Sequence, residues 1–116
     1  MAEVKKILAQ VAPTSGVGNY FATVPDAKAW VISTVIICNG GSASTFRLHA
    51  VYAGDGSAAQ KNRLYYDTAI PANDTFTLTL GITLSNADQL YCDVGSNNFS
   101  INVFGVEIDQ TNVYLP

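Results

Sequence analysis

The segment TFTLTLGITL, at residues 75–84, alternates threonine with large apolar residues and constrains the fold more than any other part of the chain. A period of two is the repeat of a β-strand, whose successive side chains point to opposite faces of a sheet. The apolar side would face a core, and the threonine side suits a pleated surface in water. The outward set is Thr75, Thr77 and Thr79, and the inward set is Phe76, Leu78 and Leu80. Gly81 interrupts the alternation and predicts a bulge or a corner.

Strand-like segments continue along the chain, and no segment has a helical repeat of useful length. Turns rich in Gly, Pro, Asn and Asp separate them at spacings of about 8–12 residues, which is typical of a β-sandwich or barrel. The loop DGSAAQKNRLYYD has room for one turn of helix at most. With 116 residues, the chain is long enough to bury a stable core without disulfides or a structural metal ion. We expect an all-β protein with about eight strands, a sandwich or a barrel, in one domain spanning residues 1–116.

The same alternation assigns the core in two further segments, TFRLHAVYA and FSINVFGVEI. The predicted core residues are Phe46, Leu48, Phe76, Leu78, Leu80, Phe99, Ile101 and Val103. His49 falls on the face opposite to Leu48, so we expect a histidine at the surface or at an interface. Because Tyr65 and Tyr66 are adjacent, one ring would face inward and the other outward.

Composition excludes several classes of partner. Only 13% of the residues are charged, about half the usual share of ~25%, and the net charge is −3. Since no basic stripe exists, we expect no nucleic-acid binding. No apolar run reaches the ~18 residues of a membrane span, so we expect no membrane association. MAEVKK is not followed by the apolar region of a signal peptide, and we expect a protein that is made in a cytoplasm and stays there or leaves by cell lysis.

Nothing in the sequence forms a recognisable catalytic, cofactor or metal site. His49 is the only histidine, and the acidic residues are scattered through turns rather than paired. The GDGS segment lacks the remaining ligands of a calcium loop, and GVGNYF lacks the lysine of a phosphate-binding loop. We therefore expect no enzyme activity and no cofactor. Cys38 and Cys92 lie in strand-like segments, and we expect two free thiols rather than a disulfide.

Three segments in fixed order carry a resemblance to a known family. They are CNGGSASTFRLHAVYAG, LYYDTAIPANDTFTLTLGITLSNADQLYCDVGS and FSINVFGVEI. Together they contain 60 of the 116 residues, and they resemble small virion proteins of tailed bacteriophages. That group includes capsid decoration (cement) proteins, which are often trimers with β-sandwich folds at local threefold axes of the capsid.

The resemblance implies a single antiparallel β-sandwich, jelly-roll-like, with a structural role in a virion rather than catalysis. The first interpretation is a decoration protein on the capsid exterior that binds and stabilises the shell of major capsid protein. The alternative is a tail or fibre component that contacts the host surface, including a host-surface glycan. A glycan binder would expose Trp or Tyr in a concave patch, whereas a decoration protein would present a flat interface.

The expected interface combines several segments, and we expect a homotrimer because few charges would have to be desolvated at a symmetric contact. The predicted interface residues are Lys5, Lys6, Tyr65, Thr75, Thr77, Thr79, Val113, Tyr114 and Leu115. Residues 1–12 and 109–116 are predicted to act as interaction arms. The second arm begins with the polar residues 109–112 and ends in an apolar tail that contains Val113, Tyr114 and Leu115. Such an apolar tail suits docking on a neighbouring subunit.

Overall fold

The computed structural model describes residues 3–110, except for the side chain of Leu80. Eight β-strands are connected by short turns and by one longer loop that contains two 3₁₀ turns. The strands are β1 Glu3–Val11, β2 Asn19–Thr23, β3 Lys28–Asn39, β4 Ser44–Val51, β5 Arg63–Ile70, β6 Asp74–Leu84, β7 Gln89–Val94 and β8 Phe99–Asp109. The first 3₁₀ turn is Ala53–Asp55 and the second is Gln60–Asn62, and the segment DGSAAQKNRLYYD contains no longer helix.

The eight strands form two antiparallel sheets. Sheet A has the strand order β1-β8-β3-β6, and sheet B has the order β2-β7-β4-β5. The pairs β4–β5, β3–β6, β2–β7 and β1–β8 are nested within one another, as if one long hairpin had been rolled up. This nesting is the topology of a jelly roll, in which two Greek keys face each other as a sandwich. The predicted fold class is confirmed.

The core lies between the two sheets and contains the residues that alternation assigns to it. Phe46, Leu48, Leu78, Phe99, Ile101 and Val103 are buried, and Phe76 packs against them. The prediction for Leu80 lies outside the described side chains. Phe76 packs at 5.4 Å from Phe46 and at 5.6 Å from Tyr65, measured between ring centroids. Such tilted and edge-on arrangements are favourable for aromatic pairs.

Asn39 is a fully buried polar residue at the end of β3. Its side-chain amide donates to the backbone carbonyls of Ser42, Ile70 and Pro71, and its Oδ1 accepts from the backbone N–H of Gly41. A buried amide needs such partners because its desolvation is otherwise uncompensated. Asn39 therefore ties the β3–β4 turn to the β5–β6 turn.

A line of β-bulges crosses sheet A at one level. In β6, residues 80–81 lie opposite Ser33 alone, so the bulge predicted at Gly81 is confirmed. In the pairing with β8, Ser33 of β3 and Leu8 of β1 are the extra residues. Ser33 Oγ donates to the carbonyl of Phe104 at 3.1 Å. Gly105 lies where the backbones approach closely, and a Cβ there would collide with the Val31 carbonyl.

One expectation needs correction. His49 points away from the core of the sandwich but is only 5% exposed, because Tyr91 and residues 58–60 of the long loop cover it. Residues 3–11 form β1 and pair with β8 over most of their length. This part of the first predicted arm is thus a strand of the domain's own sheet, and its action as an interaction arm stays a prediction. Gln110 donates its backbone N–H to Ala27 at 2.7 Å, and the rest of the second predicted arm, residues 111–116, lies outside the described residues.

Candidate interaction surface

The face of sheet A that points away from sheet B carries the threonine row. Thr75, Thr77 and Thr79 are exposed along β6, opposite Cys38, Ile36 and Thr34 of β3. Because all of these side chains share one face, the row forms one border of a flat surface. We call this surface the outer face of sheet A.

Apolar side chains occupy the middle of the outer face of sheet A. Phe104 and Val106 of β8 are half-buried there, between Thr34 and Val31 of β3 on one side and β1 on the other. Ile7 lies opposite Phe104 and is 50% exposed. Ile7, Phe104 and Val106 line a shallow depression of about 500 Å³ at the level of the bulges. A contiguous apolar patch with a polar border is a common property of protein-binding surfaces.

Strand β6 is the least protected edge of the two sheets. Sheet A ends in β1 and β6, and sheet B ends in β2 and β5. Charged residues protect β1, β2 has only 5 residues, and two register shifts distort β5. In contrast, β6 has 11 residues and no charged side chain after Asp74. Edge strands of free proteins usually carry charges, bulges or covers because their unpaired backbone groups bind other strands.

The two predicted interface lysines lie on opposite faces of β1. Lys5 pairs with Val106 in register and borders the outer face of sheet A. Lys6 lies opposite Gly105, and its Nζ is 3.3 Å from Glu107 Oε1. The second carboxylate oxygen of Glu107 accepts from Trp30 Nε1 at 2.9 Å. These contacts, the Trp30 hydrogen bond first, hold the pKa of the Glu107 carboxyl below its ordinary value. Lys6 is thus engaged within the domain.

The predicted interface set is therefore only partly brought together. The three threonines and Lys5 share the outer face of sheet A, although they lie on its two opposite edges. Tyr65 is the inward member of the tyrosine pair and packs on Phe46, whereas Tyr66 is exposed. Val113, Tyr114 and Leu115 lie outside the described residues. The role of all these residues in an interface stays a prediction.

Sequence reasoning did not identify the apolar residues in the middle of the outer face of sheet A. The signal was present in NVFGVEI, where Phe104 and Val106 are apolar on the face opposite to Val103. A strand that is apolar on both faces is typical of a position between two partners. Here one face of β8 packs on the core and the other is uncovered by any described residue of the chain.

Neither a metal site nor a membrane helix is found in the described part of the chain. Residues 3–110 contain no group of three or more His, Cys, Asp or Glu side chains arranged to hold a metal ion. Within the same residues, no helix has the length and apolar character needed to cross a membrane. Cys38 lies on sheet A and Cys92 on sheet B, and both are free thiols, as expected.

Comparisons with known proteins find similarity at the level of structure. No protein-family model matches the chain, and no curated protein matches it. A chain of the cyanophage Pam1 capsid asymmetric unit is similar in structure, with a TM-score of 0.36 and 15% sequence identity. The alignment covers 91% of this chain and 85% of that chain. A TM-score this low does not establish a shared fold, so the similarity leaves the family of the chain open.

Proposed function

We propose that this protein is a structural component of a bacteriophage virion and that it decorates the capsid. The observation that carries the proposal is the long edge strand β6, which has no charged side chain after Asp74, beside the apolar outer face of sheet A. The resemblance of its sequence segments to small virion proteins supports the same role. Its partner would be the major capsid protein, and its action would be binding without turnover.

The outer face of sheet A suits permanent contact with another protein. Threonine hydroxyls cost less to desolvate than charged groups, so a partner covering the threonine row would not bury unpaired charges. The unpaired backbone of β6 provides hydrogen bonds for strand addition, and the neighbouring apolar residues provide area to bury. Bridging neighbouring capsid subunits in this way would add interface that resists internal pressure on the shell.

The tail or fibre alternative requires an exposed aromatic platform for a glycan. Trp30, the only tryptophan, is 4% exposed, and its indole N–H is bound to Glu107. The guanidinium carbons of Arg47 and Arg63 lie 4.2 and 3.7 Å from the centroid of the Tyr66 ring. The only tryptophan is thus unavailable for stacking on a sugar, and among the described residues the most exposed aromatic ring left to the glycan-binding alternative is Tyr52, at 66%.

The proposal is tested by placing a charge on the threonine row. Thr77→Lys puts an ammonium group at the centre of the row, where a bound partner would have to desolvate it. We expect the variant to fold normally and to bind shells of major capsid protein, assembled without this chain, at least about tenfold more weakly than the wild type. Co-sedimentation with the shells measures the binding.

The matched control is Ser57→Lys, which adds the same charge in an exposed loop. It should bind the shells as the wild type does, and circular dichroism should show both variants folded. Equal binding by Thr77→Lys and wild type would exclude β6 from the interface. If the wild-type protein does not co-sediment with the shells, the proposed decoration role is wrong.

A further inference from the structure

The outer face of sheet B contains a small polar pocket that the proposed function does not use. Its volume is about 150 Å³. Strands β4, β5 and β7 form the floor, and the segment leading into the second 3₁₀ turn forms one wall. The side chains that line it are Arg47, His49, Arg63, Tyr66, Tyr91 and Asp93.

Two bulges in β5 bring its polar residues to this pocket. In the pairing with β4, residues 66–67 lie opposite Arg47 alone, and Leu64 is a second extra residue. Asp67 adopts a positive φ of 51°, which an aspartate tolerates better than most residues. As a result, Asp67 Oδ1 and Oδ2 accept from Arg47 Nε and Nη2 at 2.6 and 3.4 Å. Arg47 also lies 4.2 Å from the centroid of the Tyr66 ring.

Arg63 has a different environment from Arg47. Its guanidinium carbon lies 3.7 Å from the centroid of the Tyr66 ring, a cation–π contact that positions the side chain without using its donors. Among residues 3–110, no carboxylate forms an ion pair with it. Its planar set of N–H donors therefore stays available at the pocket, where a carboxylate would accept two of them.

His49 supplies the second, independent observation. It is 5% exposed, and its Nδ1 has no hydrogen-bond partner within the described part of the chain. A buried polar atom without a partner destabilises a fold. The Tyr91 ring packs edge-on against the imidazole, with 5.2 Å between ring centroids. Because the imidazole lines the pocket, a charged group bound there would lie beside it and change its protonation equilibrium.

The charges around His49 favour an anion. Burial has the largest effect on the imidazole and lowers its pKa. The positive charges of Arg63 and Arg47 lower the pKa further, and the opposite effect of the Asp93 carboxylate is smaller than either. Desolvation and the two guanidinium groups therefore favour the neutral imidazole, and the potential around it is net positive. A carboxylate held by Arg63 would lie in that positive potential beside the ring.

We propose that this pocket binds the carboxylate of an aspartate or glutamate side chain presented by a protein partner. The small volume admits a carboxylate group and its adjoining methylene, and Asp93 disfavours a dianion such as phosphate. The ring of a sugar acid is bulkier than one methylene group and fits a volume of about 150 Å³ less well. This site lies on sheet B, so it does not depend on the role of sheet A.

The single histidine of the chain makes the proposal directly measurable. Glutamate capped at both ends as an amide is titrated into the protein at pH 7, and the nuclear magnetic resonance signal of the His49 ring is followed. We expect a saturable shift, together with a rise of the His49 pKa when the carboxylate is bound. Arg63→Gln should weaken the binding at least about fivefold, because it removes the charge-assisted hydrogen bonds.

Three controls decide the outcome. Capped glutamine, which has the same shape without the charge, should not change the chemical shift of the His49 ring. Lys61→Gln removes the same charge from the adjoining 3₁₀ turn, where Lys61 pairs with Asp55 at 3.0 Å, and should bind capped glutamate as the wild type does. Glucuronate should bind more weakly than capped glutamate. The proposal is overturned by no saturable shift, by an equal response to glutamine, by unchanged binding in Arg63→Gln, or by tighter binding of glucuronate.

Discussion

Glu107 joins β1, β3 and β8 through its two carboxylate oxygens, which accept from Lys6 and from the indole of Trp30. The lowered pKa of this carboxyl means that the folded state prefers its ionised form. Its contribution to stability is therefore fully present above the ordinary glutamate pKa, about 4.3. It is lost as the pH falls through the lower pKa of the folded state.

We expect Glu107→Gln to lower the free energy of unfolding at pH 7. The difference in this free energy between wild type and variant should become smaller as the pH falls from about 5 towards 3. The amide keeps an acceptor for Trp30 but loses the charge opposite Lys6. Urea unfolding at a series of pH values measures the difference between wild type and variant. Glu3→Gln, the same change at an exposed position of β1, is the matched control. A difference between wild type and Glu107→Gln that does not depend on pH would contradict this account of the carboxylate.

The two cysteines differ in reactivity because their environments differ. Burial raises the pKa of the Cys92 thiol to about 12, so its reactive thiolate is scarce at any ordinary pH. Cys38 is half-buried on the outer face of sheet A. We expect iodoacetamide at pH 8 to modify Cys38 in the folded protein and Cys92 only after unfolding. Mass spectrometry of Cys38→Ser checks this, since rapid labelling of that variant would show that Cys92 is accessible.

At the scale of the strand, the alternation in β6 separates residues that stabilise the fold from residues that are available to a partner. Leu78 is buried between the sheets, whereas Thr77 beside it is exposed. Leu78→Ala should lower the free energy of unfolding by about 2–5 kcal/mol, because it removes buried apolar area and leaves a cavity. Thr77→Ala should cost much less. Denaturant unfolding compares the two, and equal losses would mean that the strand is in another register.

The strands, their faces and the bulge at Gly81 were predictable from sequence because they follow from local patterns such as the alternation of Phe76 and Leu78 with threonine. The extra residues Leu8 and Ser33 were not, since a bulge in one strand depends on the register of its partner in β8. The burial of His49 was missed for a similar reason. Alternation places it correctly on the outward face, but only the fold shows that Tyr91 and the long loop cover it.

The candidate site was predictable to a smaller extent than the fold. The threonine row could be read from residues 75–84, but its position on an edge strand required the strand order of sheet A. The pocket on sheet B depends on two bulges in β5 that place Arg63 and Tyr66 beside Arg47. No periodicity in RLYYD indicates this arrangement, because bulges break the alternation on which such predictions depend.

At the scale of the whole molecule, we predict that the isolated protein assembles into a homotrimer through surfaces with few charges. Analytical ultracentrifugation at micromolar concentration measures the mass of the assembly. Deleting residues 112–116 should leave the far-ultraviolet circular dichroism unchanged and weaken the trimer if Val113, Tyr114 and Leu115 dock on a neighbour. A wild-type protein that stays monomeric, in solution and on the virion, would contradict the prediction. An unfolded truncation would instead assign the tail to the domain's own core.

The central claim is that this jelly roll is a component of the capsid exterior. The most direct measurement is immunogold electron microscopy, with an antibody raised against the purified protein, on virions of the phage that encodes it. The account predicts gold particles distributed over the head of intact virions, and none on virions from a phage in which the coding sequence is deleted. Label confined to the tail or its fibres, or absent from intact virions altogether, would contradict it.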